Sequence, residues 1–206
     1  EAAPGPGPPL WWVAGCSGVL VLWVLRERFS WGRGASFAGI VVLGFSYMGL
    51  DAMAARPGRL QAVVTDVGHG QCIVLEFPSG ATALYDAGSS TARHARCAAD
   101  VLWSSRQRRV QALIISHRDY DHCSFVPFLA RRFRIDRVIV PPRASPRPPL
   151  YLDEALRRLG LWRTGLREGD VLGAGDVELT ALHPNERFLG DGSLHDNERS
   201  LVMLCR

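Results

Sequence analysis

The chain contains no lysine: all 24 of its basic residues are arginine. Cysteine is sparse and scattered, with five residues (Cys16, Cys72, Cys97, Cys123, Cys205) that form neither a C-x-x-C pair nor a zinc-ribbon spacing. A disulfide-stapled scaffold and a cysteine-bound structural zinc are therefore not expected, and cysteine usage leaves the redox compartment open. No basic segment precedes the first apolar run, so a secretory leader is not the expected reading of that run. No internal repeat is visible. Charged residues make up 21% against 47% apolar residues, a balance that excludes wholesale disorder. The 206 residues suffice for one ordinary domain with an appendage. The N-terminal Glu1 and the strand-like ending Ser200–Arg206 lead us to expect a section of a longer protein.

What is present begins with two charge-free stretches, residues 10–25 and 35–50. Each falls slightly short of the roughly 20 residues that a spanning helix needs, and neighbouring residues extend the second to about 35–55. Trp11, Trp12, Trp23 and Trp31 lie near their ends, where aromatic rings favour the lipid–water boundary. Two transmembrane helices, at about 10–25 and 35–55, are thus expected within a membrane segment of residues 1–57. A buried helical hairpin is the alternative. Arg26, Arg28 and Arg33 in the intervening loop, against Arg56 and Arg59 after it, place that loop inside and the following domain outside the cytoplasm.

Residues 58–206 read as a globular α/β domain. Short β-branched or aromatic runs at 60–66, 72–77 and 82–86, divided by glycine turns, predict three consecutive strands. Helices are expected at 94–105, 125–133 and 151–159, and further strands at 111–116, 136–140, 177–182 and 201–205. A proline-rich loop is expected at 143–149.

The chemistry concentrates in Ser116-His-Arg-Asp-Tyr-Asp-His122, directly after the apolar run 112–115. His117, Asp119, Asp121 and His122 are four potential metal ligands within six positions, a mixed nitrogen and oxygen set suited to zinc, manganese or iron. In an extended loop residues two apart face the same way, so His117, Asp119 and Asp121 are expected on one side and His122 near a second ion. The alternative is a solvated loop in which Asp121 or Ser124 caps a helix.

The pattern H-x-D-x-D-H after a buried strand resembles the first metal motif of the metallo-β-lactamase superfamily, usually H-x-H-x-D-H. The version with Asp in the third place is similar to the carboxy-terminal domain of ComEC-type DNA-uptake proteins. Thr65-Asp-Val-Gly-His-Gly-Gln71 resembles that family's D-V-G-Q-G signature, with His69 in the Gln place. Leu84-Tyr-Asp-Ala-Gly88 resembles its strand ending in D-x-G, and Asn197-Glu-Arg-Ser-Leu-Val202 its N-x-x-S-L-V segment. The likeness runs from about residue 61 to 204.

This resemblance implies a metallo-β-lactamase-like αββα sandwich, incomplete at its C-terminal end and preceded by membrane helices. It implies two divalent ions, zinc or manganese, one held by His117 and Asp119 and the other by Asp121 and His122. Asp121 is the catalytic candidate, as ligand or as proton shuttle. Gly68 and Gly70 permit a tight turn beside the site. Asp66 and Asp86 either orient ligand histidines by accepting their second ring N–H or cap turns. Asn197 and Ser200 lie where relatives present a third histidine. Asn197 would bind substrate oxygen or an ion, with His195 as the alternative ligand. Structural roles are expected for His69, His94 and His183. Two departures stand out: Cys123, Ser124 and Phe125 replace the family's glycine pair, and its bridging Asp and final His have no counterpart in these 206 residues.

The implied reaction is hydrolysis of DNA phosphodiesters by a bacterial inner-membrane protein with its globular domain outside the cytoplasm. The implied partners are single-stranded DNA, the membrane and other DNA-uptake proteins. Between Arg106 and Arg167 fourteen arginines stand against five acids, which suits a polyanion or simply solvates the surface. A non-catalytic scaffold or DNA-binding domain, or a hydrolase of another ester, are the alternatives. The membrane expectation predicts that the intact chain resists carbonate extraction from vesicles and that deletion of residues 1–57 releases it; equal extraction of both forms refutes an anchor there.

Overall fold

The computed structural model describes residues 10–24, 39, 41, 42, 44, 46, 58–142, 151–174 and 177–206. The chain divides into two units, one within residues 3–56 and one containing residues 57–206. In the first, the initial charge-free run forms helix α1 (Leu10–Val24), 15 residues long. Among the described residues no helix is long and apolar enough to cross a membrane. The expected span at 10–25 coincides with α1 except at residue 25, which, like almost all of the span at 35–55, lies outside the described residues.

The second unit is organised by a six-stranded sheet. Strands β1 (Gln61–Val64), β2 (Gly70–Glu76) and β3 (Thr82–Ser89) form an antiparallel meander. The chain then crosses over to add β5 (Ala112–Ile114), β7 (Val138–Val140) and β8 (Arg163–Gly165), all parallel to β3. Strands buried on both faces lose the polar–apolar alternation, which is why β5 and β7 read as unbroken apolar runs. A small parallel ribbon, β4 (Arg109–Val110) with β6 (Arg134–Ile135), precedes β5 and β7 in the chain.

Two hydrophobic clusters define the layers. On one face Val74, Leu84, Leu113 and Val138 pack with helices α2 (Ala95–Ser104), α4 (Val126–Ala130) and α5 (Tyr151–Leu159). On the other face Phe77, Ala83, Ile114 and Ile139 meet Leu179, Ala181 and Leu201. Those residues come from or adjoin a second antiparallel sheet of β9 (Val171–Ala174), β10 (Val177–His183) and β11 (Val202–Cys205). Leu113 and Ile114 thus serve opposite clusters, as successive strand residues must. The result is a helix–sheet–sheet arrangement. Of the expected outer helical layer on the second sheet, the described residues after β10 hold only α6 (Glu186–Gly190) and a 3-10 turn at Asp196–Arg199. Strands β8 and β9 were not expected; β8 is exposed throughout and carries no apolar periodicity.

The two sheets are tied beside the ends of β3 and β5. The Tyr85 hydroxyl donates to Leu201 O (2.5 Å), and Leu201 N–H donates to Ser116 O (2.7 Å). The parallel pairing of Tyr85 with Ile114 brings Asp86 and Ser116 together just beyond. Two glycines let the following loop settle on the strand ends. A Cβ added to Gly88 would lie 2.5 Å from the Asp121 carbonyl and the Cys123 nitrogen, and one on Gly70 (φ +142°) 2.6 Å from Asp121 O. These neighbours are backbone atoms that cannot rotate away. We therefore expect Gly88→Ala to destabilise the chain by about 1–3 kcal/mol in urea denaturation. Gly173→Ala, with open space around it, should stay within about 0.5 kcal/mol.

Candidate metal centre

The loop after β5 bends at Ser116 and His117 and is extended at Asp119 (φ −68°, ψ 150°). A one-turn helix, α3 (Tyr120–Cys123), then begins, with the His122 and Ser124 N–H groups bonded back to Asp119 O and Tyr120 O. The expected fully extended geometry is therefore corrected. Asp121 and His122 ride on the helical turn, and the His117 and His122 rings lie with centroids 4.0 Å apart, tilted by 46°. His117 Nε2 lies 3.5 Å from Asp119 Oδ2, and His122 Nε2 lies 3.6 Å from Asp121 Oδ2. His69 Nε2 approaches the same Asp121 oxygen at 3.5 Å. Neither Asp121 nor Ser124 acts as a side-chain cap: Asp119 holds the N-cap place without a side-chain bond, and Ser124 Oγ clips to the Ser89 backbone, accepting from its N–H and donating to its carbonyl.

Asp86 holds this arrangement from below. Its carboxylate is fully buried and its backbone adopts φ +56°. Oδ1 accepts the Ser116 N–H (2.6 Å); Oδ2 accepts the Ser116 hydroxyl (2.7 Å) and faces His122 Nδ1 (2.8 Å). An isolated buried carboxylate is costly, and these three donors offset that cost. They also fix tautomers. The bond to Asp86 places a proton on His122 Nδ1. The Ser116 hydroxyl spends its one proton on Asp86, and the Ser200 hydroxyl donates its own to Asn197 O (2.7 Å). Both oxygens must therefore accept from His117 Nδ1, which lies 2.9 Å and 3.3 Å away. Each neutral ring then turns an Nε2 lone pair toward a carboxylate oxygen, an electrostatic conflict that a cation between them relieves.

Burial pulls the pKa of both histidines down, but the net outcomes differ. For His122 the Asp86 hydrogen bond and the charges of Asp86, Asp121 and Asp119 outweigh burial, and its pKa is raised above the ordinary imidazole value. For His117 burial and the neighbouring His122 prevail over the carboxylates, and its pKa is lowered.

The residues fit a divalent cation in donor type and pairwise spacing. Ligands about 2.1 Å from a tetrahedral ion lie roughly 3.4 Å from one another, close to the three nitrogen–oxygen separations here. Inward Nδ1–H bonds with outward Nε2 atoms are the usual disposition of metal-binding histidines. The donors are gathered in pairs only: among the described residues no three His, Cys, Asp or Glu side chains form a ready metal group.

The remaining candidates separate clearly. Asp66 receives the Gly68 N–H (3.3 Å) and shapes the turn, so it caps rather than orients a histidine. Gly68 and Gly70 both have positive φ, as a tight turn there requires. Ser200 reaches His117, whereas Asn197 is exposed and supplies its carbonyl to Ser200. His195 is an exposed cap of the 3-10 turn, its N–H donating to Glu198. His183 closes β10 with Nδ1 2.8 Å from Ser200 O, and His94 Nδ1 lies 2.8 Å from Val67 O. The Cys123 thiol donates to Asp119 O (3.1 Å), and burial, followed by the Asp86 charge, pushes its pKa up to about 12. It offers no thiolate, and being buried it does not narrow the opening. His69 is the site neighbour that the sequence reading missed; its place between two turn glycines at the start of β2 was the available signal.

The arginine excess is partly neutralised. Arg109 and Arg134 share Asp136 on the β4–β6 ribbon, at the strand ends opposite the histidines. Arg157 and Arg158 share Glu154, and Arg163 pairs with Asp153.

A family model described as the metallo-beta-lactamase superfamily matches residues 65–203. No curated protein matches the chain. Among solved structures it is similar to CmlA, a diiron beta-hydroxylase from Streptomyces venezuelae, at 24% identity over 90% of this chain and 33% of that one (TM-score 0.46). It is also similar to a subclass B3 metallo-beta-lactamase from a soil metagenome library, at 18% identity over 62% and 53% of the two chains (TM-score 0.39). A third is the rubredoxin oxygen:oxidoreductase of Desulfovibrio gigas, at 16% identity over 59% and 32% (TM-score 0.42). The chain thus spans a third of the length of CmlA and about half that of the lactamase.

The Asp86 contacts predict that in the metal-free chain His122 titrates above the ordinary imidazole value and His117 below it. Asp86→Asn should lower the His122 pKa from its raised position, because only the charges of Asp121 and Asp119 then oppose burial. Imidazole proton and nitrogen chemical shifts followed against pH check this; an unmoved His122 titration contradicts the assignment.

Proposed function

The chain belongs to the metallo-beta-lactamase superfamily, and from that premise we propose that its globular unit is a metal-dependent hydrolase domain that cleaves DNA phosphodiester bonds within a ComEC-type uptake protein. The observation that carries the reading is the paired presentation of His117 with Asp119 and of His122 with Asp121, each ring anchored inward through Nδ1. His117 and Asp119 would hold one divalent ion, and Asp121 and His122 a second, zinc or manganese. When bound, such ions supply Lewis acidity toward water and toward a phosphoryl oxygen. Asp121, 26% exposed in its side chain, is placed to accept the proton of the attacking water if its own ligand position is vacant. The water oxygen forms the new P–O bond and the ester oxygen leaves with the broken bond's electron pair. Asp86 and Ser116 keep both imidazoles aligned throughout.

The DNA substrate is supported by the three sequence segments shared with uptake proteins and by the surplus of arginine between residues 106 and 167. The charge-free runs of residues 1–57 support attachment to a bacterial inner membrane, with the domain outside the cytoplasm and single-stranded DNA and other uptake proteins as partners. A second reading, a scaffold or DNA-binding domain without catalysis, is favoured by the pairwise rather than threefold gathering of donors.

The test is cleavage of end-labelled single-stranded DNA by the full protein carrying this chain, with manganese or zinc added. Asp121→Ala should lower kcat/KM by about a hundredfold or more with the melting temperature unchanged. Full activity in Asp121→Ala overturns the site assignment, and DNA binding without any metal-stimulated cleavage establishes the scaffold.

A further inference from the structure

We propose that His69 is an additional metal ligand, delivered by the turn between β1 and β2 to the ion shared by Asp121 and His122; this rests on the metal-centre reading above. The side chain's Nε2 stands 3.5 Å from Asp121 Oδ2, matching the 3.5 Å and 3.6 Å separations of the other two pairs. Asp121 is thereby flanked by two imidazole nitrogens from different parts of the fold.

The turn is built to hold that position. Val67 O receives the Ser89 hydroxyl (2.7 Å) and lies 2.8 Å from His94 Nδ1, which fixes the residue two places before His69. His69 O accepts the Ser90 N–H (2.8 Å), and Gly70 rests directly on the Asp121 backbone. A displacement of the His69 backbone would therefore have to disturb the end of β3 or the loop carrying Asp121. The ring itself is free of such packing, with 82% of its side chain exposed. Burial does not hold an imidazole so exposed, and an exposed ion pair contributes at most about 1 kcal/mol. A fixed backbone with an exposed ring whose Nε2 faces Asp121 lets His69 share a cation with that carboxylate.

Among the described residues His117 with Asp119, and Asp121 with His122, offer two donors to each ion and no three side chains are gathered ready-made; the His69 ring, 82% exposed, can turn onto the second ion. His69 raises the second to three and makes it richer in nitrogen, which favours zinc over manganese.

The experiment is calorimetric titration of the metal-free chain with zinc and separately with manganese, for wild type, His69→Gln and His195→Gln. Cobalt absorption spectra provide a second readout of the ligand set. We expect His69→Gln to weaken zinc binding about tenfold or more, to change manganese binding by less, and to reduce the intensity of the cobalt ligand-field bands. His195→Gln, at the exposed cap of the 3-10 turn, should bind as wild type. Because His69 is exposed, the metal-free variants should share one melting temperature. Equal zinc affinity and identical cobalt spectra for wild type and His69→Gln would overturn the proposal while leaving the His117–His122 centre standing. Failure of the wild type to bind any of the three cations would overturn that centre, and the role of His69 with it.

Discussion

The fully buried carboxylate of Asp86 is the constraint from which the rest of the centre follows. It sits within β3 with a backbone conformation that few side chains adopt, φ +56°, and takes three hydrogen bonds from Ser116 and His122. By consuming the Ser116 proton it settles the tautomer of His117 as well, although it does not touch that ring. A single charged group thus aligns two imidazoles and links the ends of two parallel strands. Such an arrangement stiffens the ligand geometry before any cation arrives, so less orientation entropy is lost on binding. Its cost is a charge that only this set of donors can accommodate.

Much of this was legible in the sequence, for identifiable reasons. The unbroken apolar runs Ala112–Ile114 and Val138–Val140 announced central strands, and His117-x-Asp-x-Asp-His122 marked the loop on which imidazoles and carboxylates pair, because both signals are local. Asp86 and Ser200 were visible as candidates through the family likeness. Their actual partners depend on pairings across 30 and 83 positions, which no periodicity encodes. The helical turn that displaces Asp121 and His122 from an extended path was hidden by its brevity. Strand β8 was missed because Arg163-Thr-Gly165 is fully exposed and has no apolar face. Asp66 and Asp86 looked equivalent as residues at strand ends; the difference is that Asp66 lies in the turn after β1, while Asp86 continues within β3 beside Ser116.

The glycines show how a polypeptide with bulky neighbours can present ligands so close to a sheet. Gly70 and Gly88 lie on adjacent strands, and both remove side chains from under the Asp121–Cys123 backbone. The loop can then descend to van der Waals contact with the strands, and its carboxylate comes within reach of both His69 and His122. Cys123 and Ser124 are absorbed by turning inward, the thiol to Asp119 O and the hydroxyl to Ser89. The close approach is therefore achieved from the sheet side.

The bridge from Tyr85 through Leu201 to Ser116 has a bearing on biosynthesis. It joins residues separated by 116 and 85 positions in the chain, and Ser200 beside it completes the hydrogen bonding of His117. Contacts this distant close late in folding, since long loops must be ordered first. On a ribosome, His117 and His122 emerge well before Ser200 does. The contact of Ser200 with His117, and the bridge beside it, therefore form only once translation has passed residue 201.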